Sequence, residues 1–171
     1  MRNTTRRCGR EGFTLIEIAV ATAIVGIALA ALMVACGSNT RVNDAGRKLQ
    51  QGIFLAQEIR EWTLALPFHD QDPGDLGNPP GPDGSDPQSY VDDLDDLLGV
   101  TYTPPRDAQG NTLYDLDGWH QTINLTWRNP NDIGQTVTVG SSDVIHVQVD
   151  VTCRGKSIVS SSWLVTREED E

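Results

Sequence analysis

A run of about twenty residues without a permanently charged side chain, Ile18 to Gly37, constrains this chain more than any other feature. Cys36 is its only ionisable group. A helix of this length, at ~1.5 Å per residue, crosses the ~30 Å hydrocarbon core of a bilayer. Glu17 stands just inside the start of this segment, where an unpaired carboxylate is costly. The sequence therefore predicts a membrane-spanning helix whose first turn carries a charge that needs a partner.

The residues on the N-terminal side of this run form a recognisable motif. Gly12-Phe13-Thr14-Leu15-Ile16-Glu17 follows a leader that contains four arginines. This arrangement resembles the processing site of type IV prepilins and type II secretion pseudopilins. The resemblance implies that a prepilin peptidase cleaves between Gly12 and Phe13 on the cytoplasmic side and N-methylates Phe13. Glu17 then becomes the fifth residue of the processed chain.

This resemblance implies a structural function in assembly. Cleavage leaves a cationic amine on Phe13, and Glu17 of a neighbouring subunit can pair with it, because an unmatched charge would remain in hydrocarbon. We therefore expect a minor pilin or pseudopilin subunit, stored in the bacterial inner membrane and assembled into a type IV pilus or a type II secretion pseudopilus. Its expected partners are the prepilin peptidase, other pilin or pseudopilin subunits, the inner-membrane assembly platform and the membrane.

The charge distribution agrees with this orientation. The formal net charge is −11, but the leader alone carries +3, which leaves −14 for the chain from Phe13 onward. Cations before the apolar segment hold the leader in the cytoplasm and place the acidic body outside. The acidic body has no basic patch to neutralise phosphates, so nucleic acid is excluded as a partner.

A lipoprotein is the alternative interpretation of the same apolar segment. Ala35-Cys36-Gly37 with a polar continuation resembles a lipoprotein processing site, at which Cys36 carries lipid and a β-rich binding domain is anchored to the membrane. Glu17 has no use in such a signal, and Met33 stands where leucine is preferred. A helical pattern also resumes after Asn39. The cysteines Cys36 and Cys153 are otherwise expected to be buried apolar residues that form no disulfide with each other.

The helical pattern extends well beyond the membrane segment. Apolar or small residues recur at three-to-four spacing and predict one long helix of roughly 50 residues that ends at Pro67. Gly37-Ser38-Asn39 is a point at which this helix is expected to bend or break. The predicted apolar stripe consists of Val42, Ala45, Leu49, Ile53, Ala56, Ile59, Trp62 and Leu66.

An acidic region rich in Pro, Gly and Asp follows, at 67–118, and is expected to be mainly loop. A short helix is predicted near 90–98, opened by Ser89 and carrying Val91, Leu94 and Leu98 on one face. Asp70, Asp72 and Asp75 are calcium candidates, but they do not match the EF-hand loop. We therefore expect a solvated loop and no cofactor.

Alternating apolar residues predict a sheet at 119–166, before an acidic tail at 167–171. The predicted strands centre on Ile123–Trp127, Val137–Val139, Ile145–Val151 and Val159–Val165, with turns at Asn129–Asp132 and Arg154–Lys156. Packing of the amphipathic half of the helix (38–66) on this antiparallel sheet gives an α+β fold. Residues 1–12 are expected to be the cleaved leader, and residues 13–37 the membrane half of the helix. The pilin resemblance implies the same architecture. The order of elements from Asp92 onward also resembles minor pilins grouped with mannose-sensitive haemagglutinin pilin D.

Catalytic chemistry is not expected from this chain. His69, His120 and His146 are far apart in sequence, and Ser160, Ser161 and Ser162 lack a distinctive base. No nucleophile elbow, zinc-helix motif or phosphate loop occurs. The sequence therefore predicts a structural protein, not an enzyme.

Overall fold

The computed structural model describes residues 12–69, 79–82 and 91–167. The chain divides into two units, Met1–Ala45 and Gly46–Glu171. The predicted α+β class is confirmed, with a long helix followed by an antiparallel sheet. The elements are α1 Leu15–Ala65, a short 3-10 helix Asp95–Leu97, β1 Thr101–Tyr102, β2 Trp119–Asn129, β3 Asp132–Thr136, β4 Val144–Cys153 and β5 Lys156–Thr166.

The first unit consists, in its described part, of the start of α1. Among the described residues, α1 is the one helix long and apolar enough to cross a membrane, and its most apolar window is fully exposed on the protein. The Thr22 hydroxyl donates back to the Ile18 carbonyl at 2.8 Å, so this polar side chain is satisfied within the helix. Such back-bonding lets a threonine lie in an apolar environment without an unmet donor.

Two sequence expectations about this segment, a break in the helix and burial of Cys36, are wrong. The helix does not break at Gly37–Asn39, because α1 continues through all three residues. Cys36 is exposed and not buried. No other described element of the first unit covers Cys36. Its thiol is therefore exposed on the surface of the helix.

The second half of α1 buries a narrower face than the predicted stripe. Ala56, Ile59 and Trp62 are buried as expected, but Val42, Leu49 and Ile53 remain 66%, 47% and 44% exposed. The actual buried line on the helix is Gly52, Leu55, Ala56, Ile59, Trp62 and Thr63. Three-to-four spacing fits either of two neighbouring lines of apolar residues, and the one containing Gly52 lets the helix approach the sheet more closely.

The sheet is antiparallel throughout, in the order β1-β2-β4-β5, and β3 pairs with the end of β2. Alternate residues of β4 from Ile145 to Cys153 are buried, which confirms the predicted period of two. Arg154 and Gly155 both have positive φ and connect β4 to β5 in a two-residue turn. That geometry matches the right-handed twist of paired strands.

Two strand predictions need correction. Val137 and Val139 are not in a strand, because β3 ends at Thr136. All five residues of β3 are exposed, so this strand has no apolar face that alternation could reveal. The short strand β1 lies in a region that was expected to be loop, and its two residues are too few to produce a periodic signal.

One buried amide connects the helix to the sheet. Gln121 on β2 is fully buried, and its Nε2 donates to the Leu55 carbonyl at 2.9 Å and to the Arg106 carbonyl at 3.1 Å. Its Oε1 accepts the Arg106 backbone N–H at 2.7 Å. A second link joins Trp163 Nε1 on β5 to the Thr63 hydroxyl at 3.1 Å. Gln121 and Thr63 are fully buried and both are hydrogen-bonded, so these links hold α1 on the sheet without leaving the buried amide or hydroxyl unpaired.

The predicted short helix near 90–98 reduces to the 3-10 helix Asp95–Leu97, and Ser89 lies outside the described residues. The cause is local. One carboxylate oxygen of Asp93 accepts the N–H groups of Asp95 and Asp96, and such side-chain bonds compete with a regular helix. Burial of Asp93, reinforced by Asp95, raises its pKa to about 7. Leu94 and Leu97 are fully buried, so the segment still contributes to the core as expected.

The close approach at Gly52 can be tested with alanine. A Cβ at Gly52 would lie 2.7 Å from Cγ2 of Ile158, whereas at Gly46 nothing lies within 4 Å. We expect Gly46→Ala to raise the free energy of unfolding of this unit by roughly 0.5–1 kcal/mol through helix propensity. Gly52→Ala should lower it by about 1–3 kcal/mol through overpacking.

All four tryptophans lie beyond residue 45, so their fluorescence during denaturation of the full chain in detergent measures this unit. An equal gain in stability for both variants would contradict the proposed close contact.

Candidate functional site

The start of α1 is a reciprocal N-cap built from Thr14 and Glu17. The Thr14 backbone N–H and hydroxyl both donate to Oε2 of Glu17, at 3.0 and 3.1 Å. In return, the Thr14 hydroxyl accepts the backbone N–H of Glu17 at 3.3 Å. The Ile18 N–H bonds to the Thr14 carbonyl at 3.3 Å and closes the first helical turn. This is the capping-box arrangement, in which threonine and glutamate satisfy each other's backbone donors.

The capping box places the Glu17 carboxylate where its negative charge is stabilised. A carboxylate in the first turn of a helix is favoured by the positive end of the helix dipole. It also accepts hydrogen bonds from its own chain, which offset part of the cost of leaving water. Glu17 therefore has a partner within its own helix before any second subunit is present.

The peptide between Gly12 and Phe13 immediately precedes this cap. Residues 12–14 are not helical, and α1 begins at Leu15. A Cβ at Gly12 would have nothing within 4 Å, and Phe13 is 84% exposed. An exposed, non-helical peptide with no side chain on its N-terminal side is open to another protein's catalytic groups.

The other sequence candidates are not brought into a site. Asp70, Asp72 and Asp75, the calcium candidates, lie outside the described residues, so the solvated loop expected there stays a prediction. In the part of the chain that the structure describes, no group of three or more His, Cys, Asp or Glu is placed to hold a metal. Cys36 and Cys153 are both free thiols, and Cys153 is buried as expected.

The histidines are separated in the fold as well as in sequence. His69 forms an edge contact with Phe68, and His120 Nδ1 lies 2.6 Å from the Thr103 hydroxyl. His146 on β4 lies opposite Thr126 of β2, and Thr126 is six residues along β2 from His120. Partial burial and the nearby Arg128 guanidinium lower the pKa of His146. In the described part of the chain, no hydrogen bond joins one of these imidazoles to another.

Comparison with known proteins supports the motif. Residues 7–33 match the family model described as the Prokaryotic N-terminal methylation motif. The match covers the end of the leader, the peptide between Gly12 and Phe13, the capping box and more than half of the membrane-length run. Neither the curated proteins nor the solved structures gave a match. The chain therefore carries a methylation motif typical of type IV pilin-like subunits, and the lipoprotein alternative is not favoured.

Thr14 is the functional residue that sequence analysis missed. The signal was present, since Thr followed three residues later by Glu before an apolar run indicates a capping box.

The contribution of the capping box can be isolated with a double-mutant cycle. Thr14→Val removes the hydroxyl at nearly constant shape, whereas Thr14→Ser keeps it. We expect Thr14→Val to destabilise the start of α1 by about 0.5–2 kcal/mol and to reduce membrane insertion. Because the hydroxyl acts through Glu17, much of this effect should vanish in a Glu17→Val background.

The measurement is the fraction of full chain that resists alkaline extraction from membranes. Thr14→Ser is the control and should behave like the unaltered chain. If Thr14→Val had the same effect with and without Glu17, the two residues would not be coupled.

Proposed function

We propose that this chain is a type IV pilin-like subunit that is cleaved after Gly12, N-methylated on Phe13 and assembled through Glu17 into a filament. The observation that carries this proposal is the match of residues 7–33 to the methylation motif. The continuous helix Leu15–Ala65, with its exposed apolar window, supplies the membrane anchor that such a subunit needs.

The chemistry at Gly12 is hydrolysis of one peptide bond by the prepilin peptidase. Gly12 leaves with the leader as a carboxylate, and Phe13 becomes a free amine that stays cationic after methylation. Thr14 and Glu17 both lie on the retained side of the cut, so the capping box survives. The mature subunit therefore carries a cation and a carboxylate within its first five residues.

Glu17 then directs assembly through charge. In the membrane, the Phe13 amine of one subunit and the Glu17 carboxylate of its neighbour attract strongly, because the dielectric constant is low. The capping box holds this carboxylate on its helix while the subunit is stored. A neighbour's amine adds a charged donor to an acceptor that Thr14 has already oriented.

The finer assignment is also part of this proposal. We place the subunit among minor pilins or pseudopilins, in a type IV pilus or a type II secretion pseudopilus, and recruited by an inner-membrane assembly platform. The order of elements after Asp92 supports a relationship to minor pilins such as mannose-sensitive haemagglutinin pilin D. An inner-membrane location with the leader in the cytoplasm is supported by the arginines before the apolar run.

Cleavage can be tested at Gly12 with a matched glycine in the same leader. Gly12→Leu should abolish processing, because a side chain beside the cut peptide obstructs the approach of the peptidase, and the precursor should accumulate in membranes. Gly9→Leu, three residues upstream, should be processed normally.

Mass spectrometry of the mature N-terminus provides the measurement. We expect N-methyl-Phe13 from the unaltered chain. A lipidated Cys36 at the N-terminus would instead establish the lipoprotein, and normal processing of Gly12→Leu would contradict the assignment of the cut.

Assembly can be tested by separating the charge of Glu17 from its capping role. Glu17→Gln removes the charge but keeps an acceptor for Thr14, whereas Glu17→Val removes both. We expect both variants to insert into membranes but to enter filaments at least ~10-fold less efficiently, since ~1.4 kcal/mol of lost pairing gives that factor. Glu17→Asp, shorter by one methylene, should be intermediate.

The readout is the ratio of this subunit in sheared filaments to that in membranes. Normal incorporation of Glu17→Gln would show that capping suffices and that charge matching does not drive assembly.

A further inference from the structure

A groove runs between α1 and the edge strand β5 in the unit Gly46–Glu171. Its volume is about 320 Å³. Ile53, Ala56 and Val159 give it an apolar floor, while Arg60 and Ser160 provide a guanidinium and a hydroxyl. Among the described residues, no carboxylate lines it, although the chain as a whole is strongly acidic. The groove therefore suits a ligand with an apolar body and a negative charge beside it.

A turn elsewhere in the same unit presents that chemistry. Tyr114 is 80% exposed, and the carboxylates Asp115 and Asp117 beside it are exposed as well. Leu113 and Leu116 flank Tyr114 and pack against the core. We call residues 113–117 the tyrosine turn. Tyrosine is enriched among the residues that carry most of the binding energy in protein interfaces. Tyr114 and its neighbouring carboxylates thus present the apolar body and the negative charge that the groove suits.

The tyrosine turn is held in place by backbone hydrogen bonds. The Leu113 N–H donates to the Pro105 carbonyl at 2.8 Å, and the Leu116 N–H donates to the Leu113 carbonyl at 3.3 Å. The Trp119 N–H donates to the Leu116 carbonyl at 3.2 Å and connects the turn to the start of β2. A preorganised turn loses little conformational entropy when it binds.

The turn and the groove belong to opposite edges of the sheet. The groove follows β5, the last strand of the order β1-β2-β4-β5. The tyrosine turn bonds to the segment that follows β1, and Arg106 of that segment pairs with Thr112. Three strand spacings of ~4.8 Å separate the two edges. Tyr114 therefore cannot fill the groove of its own chain, but it can fill that of another copy.

We propose that the tyrosine turn of one subunit docks into the α1–β5 groove of a second copy of this chain. The Tyr114 ring contacts Ile53 and Val159, and Asp115 or Asp117 pairs with Arg60. Arg60 is available for this exchange, because its present partner is the adjacent and exposed Glu61 at 3.3 Å. Exposed pairs of this kind contribute little, so one carboxylate can replace another at low cost.

This contact uses two different surfaces and is therefore heterologous. A heterologous contact that does not close into a ring adds subunits in one direction without limit. The site is separate from Phe13 and Glu17, so the inference goes beyond the proposed function. Two copies of this acidic unit repel each other because both carry a net negative charge. The contact adds a local attraction between opposite charges.

The arrangement can be tested by cysteine cross-linking of the full chain in cell membranes. Asp115→Cys and Ser160→Cys place one thiol on each surface and leave Tyr114 intact, in a Cys8→Ser, Cys36→Ser background whose remaining Cys153 is buried. Under oxidation, the double variant should give a ladder of covalent trimers and longer species. Each single variant can give dimers at most. Strong dimers from either single variant, without a ladder in the double variant, would show a symmetric contact and overturn the proposal.

Charge reversal provides the second measurement. Arg60→Glu should reduce the yield of species longer than dimers at least tenfold in the cross-linking background, and adding Asp117→Arg should restore it. Arg47→Glu reverses an exposed cation on the same helix outside this groove and should leave the ladder unchanged. Loss of the ladder with Arg47→Glu, or no loss with Arg60→Glu, would overturn the proposed pairing.

Filament incorporation separates this inference from the proposed function. Incorporation of the double variant without a ladder would refute the contact and leave the pilin-like function standing. A ladder in membranes without incorporation into filaments would support the contact and count against that function. Cross-linking to a different subunit in place of a second copy would show that the occupant is wrong.

Discussion

The structure depends on one continuous helix that must satisfy two environments. The first part of α1 is apolar on every side and exposed, as a segment surrounded by lipid requires. Further along, the same helix buries only the line from Gly52 to Thr63 against the sheet. The buried Gln121 amide donates to the Leu55 carbonyl and fixes the helix on the sheet within the unit Gly46–Glu171. Within the unit Gly46–Glu171, the helix is therefore held on the sheet by this packed face and by the Gln121 hydrogen bond.

The sequence predicted the fold where periodicity was strong. The helix ends at Ala65, as Pro67 indicated, and β4 alternates between buried and half-buried residues along its whole length. The prediction of the buried face of α1 failed, because tertiary contacts decide between two lines of residues with the same spacing. The stripe through Leu49 and Ile53 and the line through Gly52 and Leu55 have the same period, and a glycine carries no hydrophobic signal. Close approach of α1 to Ile158 selected the second line.

The short elements could not be predicted for a different reason. β1 has two residues and β3 has no buried face, so neither produces an alternation. In the acidic segment, the Asp93 carboxylate accepts the backbone N–H groups of Asp95 and Asp96. These bonds compete with a regular helix, and only a single 3-10 turn forms. For the candidate site, Gly12, Phe13 and Glu17 were named from the resemblance of their motif to the prepilin processing site, and their individual roles stay predictions. The role of Thr14 emerged only from the geometry of its hydroxyl and amide.

The capping box has a consequence for the charge balance of the processed helix. Before cleavage, α1 begins after a neutral peptide, and its exposed amide dipoles favour a negative group. The proposed cleavage after Gly12 would put a cation two residues before Leu15, at the end of the helix where a positive charge is least favourable. Glu17 lies in the first turn and already accepts two hydrogen bonds there. One carboxylate thus compensates both the dipole and the new amine, so the helix can keep its first turn when the leader is removed.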